Sequence, residues 1–511
     1  MLKNKQAGYN ESSQNGLIMP QGKSDFLLKI FTWGKQHRLL IGILLPVLFH
    51  FVVVLWYVIV RDVSIMADPI LNSWDSFWQH IPLAVLREKP LESLFYLHAQ
   101  PPLFNFIGMI MDAVFGDFFL KILHFSHIVL GSLMCGMFFF TIFVLTNAYY
   151  YSLVVSLLVA LNPSLFLYEA FPMYMLLSAF FVMTCIFFIT LYHRYNKTRY
   201  LFLSAITSVL LVLLQSFFHI VFLFLLFVLI GVMAPVKTRK LLFFVLIVLF
   251  CIPLSLYLKN VLIYNFFGST SWTGSNLWRI ASAGYSEGER IEMFKDGIIE
   301  EAAACRDVFD KPSAFIKFGY DKKSDILLLG NDDYHNINMV DISRMHGKNA
   351  VRVILNDYTR YLKNVWNAYY IFCRLSYETR PLQANKMRLH PIHITINEIF
   401  HGTFIMRKIG KGGIMQSTSL YVIAFPLFLF LLACKFVRDT KFSFSRMLFF
   451  IQMNVGYIIM ALFVLYVVSV SILFEYGENA RFKFPIIMPT QCCLFSLFNS
   501  IFKSFPRDHS E

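Results

Sequence analysis

Apolar runs of membrane-spanning length dominate this chain and leave it few folds to adopt. They stand at Leu39–Val60, Phe119–Thr146, Ala148–Tyr168, Ala170–Tyr192, Tyr200–Gln215, Phe217–Met233, Leu241–Val261, Ser417–Lys435, Arg446–Phe474 and Phe484–Phe502. A span needs about 20 mainly apolar residues, and in lipid every backbone polar group must be satisfied internally. The expected fold is therefore an all-α polytopic membrane protein of about 10 transmembrane helices. Composition agrees: 57% of the 511 residues are hydrophobic and only 15% charged, against about 25% charged in soluble domains. The net charge of +14 does not argue for nucleic acid, because the basic residues cluster between the apolar runs, where they set orientation.

A thirteen-residue apolar piece, Leu103–Phe115, would cover only about 20 Å of a ~30 Å hydrocarbon core. The basic connectors decide its role. Lys35 to Arg38 places the N-terminus in the cytoplasm by the positive-inside rule. The connectors 193–199, 237–240 and 435–446 all face the cytoplasm only if Leu103–Phe115 does not cross. It is expected to lie on the outer surface, started by Pro101 and Pro102. The expected order is a cytoplasmic tail (1–38), a seven-span module (39–261) with a first outer loop (61–118), an extracytoplasmic loop domain (262–416), three C-terminal spans (417–502) and a cytoplasmic tail (503–511). Both termini are cytoplasmic in this scheme. The sequons at Asn10 and Asn196 then go unused.

Within the loop domain, Val351, Ile354, Leu355, Tyr358, Leu362, Val365 and Trp366 recur at helical spacing over Lys348–Phe372. The stripe suits packing on the membrane domain or on the bilayer interface. Asn331, Asp332, Asp333, Asn336 and Asn338 form a polar cluster before it, and Gly410 to Gly413 read as a flexible hinge. Six cysteines lie in or beside apolar runs. Cys305 and Cys373 lie outside them and are open to pairing, which spacing alone does not decide.

Ionisable groups collect at the expected outer mouths of the spans, where a functional site is the default hypothesis. Asp75 lies between Trp74 and Trp78; in a partly dry site it suits a general base, although a loop acid at headgroup level is the plainer reading. Asp68 and Asp62 are its rivals. His98 and Gln100 precede Pro101-Pro102, at a helix start that attracts anions, or they merely flank a proline-initiated helix. Glu169 ends a span after Asn162-Pro163, and Arg279 follows Trp278 at the start of the loop domain. Glu478 and Arg481 precede the last span; an arginine there can clamp a phosphate, or the pair can be an interfacial anchor. Gln215 and His219 flank a tight outer turn. No Cys/His metal spacing occurs.

Three stretches, in this order, resemble the GT-C glycosyltransferases. The likeness is to the branch of dolichyl-phosphate-mannose-protein mannosyltransferases and lipid A aminoarabinose transferases. The first is Asp75 with Phe77 and the run His98 to Leu103. The second is Asn162-Pro163 through Tyr168-Glu169. The third is Gly477-Glu478 through Arg481, Pro485 and Pro489. The resemblance covers roughly residues 39–261 and 471–502. Many relatives have a second acid where this chain has Ser76, and the commoner His-Pro-Pro is spelled His98-Ala99-Gln100-Pro101-Pro102.

The resemblance implies a membrane hexosyltransferase. It would move a sugar from a polyprenyl- or dolichyl-phosphate donor to a hydroxyl of a glycan, lipid or protein acceptor at the lumenal or periplasmic face. Asp75 would be the base and Arg481 a phosphate contact, with Asp68, His98, Gln100, Glu169, Arg279 and Glu478 around the substrate. No metal and no cofactor are expected, since arginines can neutralise the phosphate. The membrane would be that of the endoplasmic reticulum in a eukaryote or the inner membrane in a bacterium. A lipid or solute transporter, and a non-catalytic scaffold derived from the enzyme, are the other readings.

Overall fold

The computed structural model describes residues 37–321, 333–409, 418–441 and 443–504. The termini and the 410–413 glycines lie outside the described residues, as do Asn331 and Asp332. Helices stand where the apolar runs predicted them, and no strand forms among the described residues. Five helical stretches among the described residues are long and apolar enough to cross a bilayer: Arg38–Arg61, Leu103–Thr146, Met175–Tyr195, Val236–Tyr264 and Gly456–Phe474. A sixth arises if Tyr149–Ala160 and Pro163–Glu169, bent by 51°, form one broken span. Arg199–Leu214, Ile220–Met233 and Tyr421–Cys434 are shorter apolar helices. The bend has a local cause. The Asn162 side chain accepts the Ser164 N–H, and Pro163 takes the first helical position, so a new helix is capped where the old one ends.

Contacts between helices fix their relative directions. Thr184 meets Met137, and Phe187 meets Phe140. Equal steps along both chains mean that Met175–Tyr195 and Phe119–Thr146 run parallel. The basic connector 193–199 therefore shares an end of the bundle with Thr146. Arg38 lies there too, stacked 4.1 Å over the Tyr149 ring. Tyr192 donates to the Met233 carbonyl, and Thr198 meets Thr238, which brings the connector 237–240 to the same end.

The helix Leu103–Phe115 has the predicted limits. Near its start the Asn105 carboxamide bonds the Ile81 N–H and the Gln79 carbonyl. Near its end Asp112 holds Arg87 at 2.6 Å. Both ends are thus tied to the same segment, residues 62–100. A three-residue turn joins it to Phe119–Thr146, and together they form an apolar stretch of 44 residues.

Between Tyr264 and Tyr421 the chain is helical but not uniform. Trp278, Phe315, Met339, Ile342 and Met345 share a second apolar core. The expected Lys348–Phe372 helix is two helices, Asn338–Asn356 and Tyr358–Phe372, broken at Asp357, whose side chain caps the second. Its stripe is split: Ile354 packs against the second apolar core and Val365 is half-buried, whereas Val351, Leu355, Tyr358, Leu362 and Trp366 are exposed. Cys305 and Cys373 are unpaired, the first exposed and the second buried. Part of the expected extracytoplasmic domain packs on the bundle. In the helix Pro391–Phe400, His393 bonds Tyr57 and faces Phe166, and Phe400 sits 5.6 Å from the Phe495 ring.

Candidate functional site

A cavity of about 800 Å³ opens at the end of the bundle away from Arg38, and residues from remote parts of the chain line it. Asp68 and Gln100 come from the segment after the first span. Arg279 comes from the helix Thr273–Ala281, and Glu475, Glu478 and Arg481 from the turn after Phe444–Phe474. Gln215 and His219 contribute from the turn between two apolar helices. One side of the cavity is aromatic, with Trp78, Trp272 and Phe309; another is apolar, with Phe217, Val221, Tyr466, Val470 and Phe474.

The charged groups are held by identifiable partners. Asp68 Oδ1 accepts the Ile70 and Leu71 N–H groups, each at 2.8 Å, which fixes the carboxylate and leaves its second oxygen without a hydrogen bond among the described residues. Arg279 pairs with Glu475 Oε1 at 2.7 Å and stands over the Phe309 ring. Burial raises the proton affinity of the Glu475 carboxyl, and the Arg279 and Arg481 guanidinium groups oppose that rise. Arg481 pairs with Glu478 Oε2 at 2.9 Å. Its buried Nε has no hydrogen-bond partner among the described residues, so a donor remains to be satisfied there. Gly477 turns with φ +98°, and a side chain at that position would meet Arg279 Nη2 at 3.2 Å.

Of the eight residues that the resemblance places around the substrate, Asp68, Gln100, Arg279, Glu478 and Arg481 meet at this cavity, together with Gln215 and His219 from the tight turn. Asp75, His98 and Glu169 are not among its walls. Trp74 turns inward, with its indole N–H on the Ile81 carbonyl and its ring stacked on His80 and Phe104. The next residue, Asp75, therefore points outward; it is exposed, and its Oδ1 accepts the Leu83 N–H. Ser76 and Phe77, not Asp75, line the cavity.

His98 is buried between segments. Its ring bonds Ser271 Oγ at 2.9 Å and the His335 carbonyl at 2.8 Å. Glu169 is buried in the bundle, 2.8 Å from His50 Nε2, beside Gly131, where a methyl group would come within 1.8 Å of its Oε1.

Glu475 was missed by sequence reasoning, as were Arg380 and Phe309. Glu475 ends an apolar run without a motif of its own. Its pairing with Arg279 spans 196 positions, which no local pattern reveals. No cluster able to hold a metal ion exists among the described residues.

No protein-family model matches the chain, and no curated protein matches it. Two solved structures are similar to it. One is the archaeal oligosaccharyltransferase AglB from Archaeoglobus fulgidus in complex with an inhibitory peptide and a dolichol-phosphate. Its TM-score is 0.40 and its identity 12%, over 93% of this chain and 53% of that one. The other is an Archaeoglobus fulgidus oligosaccharyltransferase in complex with Zn and sulfate, with a TM-score of 0.31 and 11% identity, over 91% of this chain and 52% of that one. The chain spans about half the length of these structures.

Proposed function

We propose that the protein is a membrane glycosyltransferase that draws its sugar from a polyprenyl- or dolichyl-phosphate donor. The observation that carries this is the composition of this cavity's walls. Carboxylates, guanidinium groups, aromatic rings and an apolar flank meet in it, a match for a ligand with a charged phosphate, a sugar and a hydrocarbon tail. The motif order in the sequence supports the same reading.

In the proposed step the acceptor hydroxyl attacks the anomeric carbon, and the bond from that carbon to the phosphate oxygen breaks. The hydroxyl proton passes to Asp68, whose free oxygen is the base. The electron pair leaves on the lipid phosphate, whose charge meets Arg481 and Arg279. Gln100 and Glu478 are positioned to bond sugar hydroxyls or, in the case of Glu478, to hold Arg481. Asp75 takes no part in this scheme, because its carboxylate faces away and caps a backbone N–H. The acceptor is a glycan, lipid or protein hydroxyl. Ten crossings, with both termini cytoplasmic, complete the proposal; the shared end of the basic connectors and the two-ended anchoring of Leu103–Phe115 support it.

A transporter would need ionisable groups along a path through the bundle. The His50–Glu169 pair is such a group, but Gly131 packs directly on it, and it does not line the cavity. Its evident work is to tie the first span to the broken one. The test is transfer by the purified, bilayer-reconstituted protein from a panel of polyprenyl-phosphate sugars to a soluble hydroxyl acceptor. Loss of transfer in Asp68→Asn, with donor binding kept, supports the mechanism. Equal transfer in that variant removes Asp68 from the role.

A further inference from the structure

The helix Tyr358–Phe372 divides into three faces. Tyr361, Asn364, Ala368, Ile371 and Phe372 lie on one; the last four are buried. Thr359, Lys363 and Asn367 lie on a second, lining a shallow polar hollow with Tyr476. Tyr358, Leu362 and Trp366 lie on the third, and these are 64%, 58% and 58% exposed. At 100° per residue these sectors do not overlap. On the preceding helix Val351 and Leu355 are also exposed, in sequence beside the exposed cations Lys348 and Arg352.

The helix is fixed at both ends to apolar helices. Near its start the Tyr361 hydroxyl donates to the Leu473 carbonyl, in the last turn of the span Gly456–Phe474. Near its end the Tyr369 hydroxyl donates to the Val422 carbonyl, in the first turn of the apolar helix Tyr421–Thr440. A helix strung between the end of one membrane helix and the start of another lies along the membrane surface. Its protein face is occupied and its polar face meets water, which leaves lipid for the third.

We propose that Tyr358, Leu362 and Trp366, with Val351 and Leu355, seat this helix in the headgroup–acyl boundary of the outer leaflet. Aromatic and aliphatic side chains flanked by cations are the chemistry that boundary accepts. Lys348 and Arg352 suit anionic headgroups at its rim. The seating does not depend on the proposed transfer reaction. Where that reaction holds, the seating also sets the height of the cavity's cations. Asn364 Nδ2 bonds the Ile280 and Ala283 carbonyls, at the end of the helix that carries Arg279, so the lipid-seated helix holds Arg279 in register with the lipid phosphates.

Trp366 reports its own surroundings. The full chain and its Trp366→Phe variant are reconstituted in nanodiscs containing phosphatidylglycerol, and the difference between their emissions isolates Trp366. Bromine atoms on the upper acyl chain are expected to reduce that difference roughly two-fold, while aqueous acrylamide leaves it nearly unchanged. Trp366→Phe keeps an aromatic ring, so the fold is preserved. Replacing Asn367 by Trp, on the water-facing side, is expected to add emission that acrylamide quenches and bromolipid does not. A Trp366 signal quenched by acrylamide and indifferent to bromolipid overturns the proposal. That result would leave the transfer reaction standing, since sugar transfer is read separately.

Discussion

At the residue scale, the choice between two aspartates, Asp68 and Asp75, seven positions apart, decides the mechanism. Asp75 carries the motif resemblance, whereas Asp68 carries the position. The sequence marks Asp75 through its flanking tryptophans, but which way a loop acid points depends on where its neighbour is buried. Trp74 fills the space over Gly108, which has no Cβ to obstruct it, and this turns Asp75 outward. Asp68→Asn is expected to lower the transfer rate by about 10² to 10⁴, the range for a positioned base. Asp75→Asn should retain near-parental transfer, because an amide oxygen still caps Leu83; initial-rate assays on the two variants decide between them. Arg481→Lys should weaken donor binding, since an ammonium cannot reproduce the guanidinium fork. Within the bundle, His50→Ala strands Glu169 without its partner. It should cost about 3–5 kcal/mol, the price of breaking a buried pair, read as a shift in denaturant unfolding of the detergent-solubilised protein.

At the element scale, the apolar helices were legible and the loop architecture was not. Phe119–Thr146 and Leu103–Phe115 have the limits that hydropathy predicted, because each ends where the apolar run ends. The Val351–Trp366 stripe was read as one helix, since periodicity continues across Asp357 even though its side chain starts a new one. The clamp between residues 62–100 and the segment that follows Tyr264 could not be read at all. His335 Nε2 bonds the His80 carbonyl, and His98 Nε2 bonds the His335 carbonyl, linking positions more than 200 residues apart. Burial lowers His80 and His98 to about 3 and lowers His335 as well. His80 and His98 stay neutral in the folded chain until the pH nears 3, whereas in the unfolded chain they take up protons below about pH 6.5. Their stability contribution is therefore full above pH 6.5 and is lost as pH falls from there toward 3. Hydrogen exchange at the 80, 98 and 335 amides should accelerate at pH 5 relative to pH 7.5, over and above the intrinsic change. Unchanged protection would mean that the clamp carries no stability.

At the scale of the whole molecule, five of the eight residues selected in the sequence reach one cavity although they come from opposite ends of the chain. Ionisable residues at span mouths converge because the spans bring their ends together, which is why an outer-mouth pattern in sequence finds a site in space. His98 and Glu169 share that pattern but face the interior: His98 sits in a loop that Ser271 and His335 hold buried, and Glu169 occupies the side of its helix that meets His50, which position near a span end does not fix. The proposed orientation rests on the shared end of the basic connectors. Cysteine labelling of intact cells is expected to protect a cysteine introduced at position 196 and to expose the native Cys305; external labelling at 196 would invert the topology.

The most direct measurement of the central claim is donor binding and single-turnover transfer with a radiolabelled polyprenyl-phosphate sugar in the reconstituted protein. The proposed reaction predicts release of polyprenyl phosphate by the parent, bound but unreacted donor in Asp68→Asn, and markedly weakened donor binding in Arg481→Ala. A parent that releases no lipid phosphate from any donor, with Arg481→Ala binding as tightly as the parent, would contradict it.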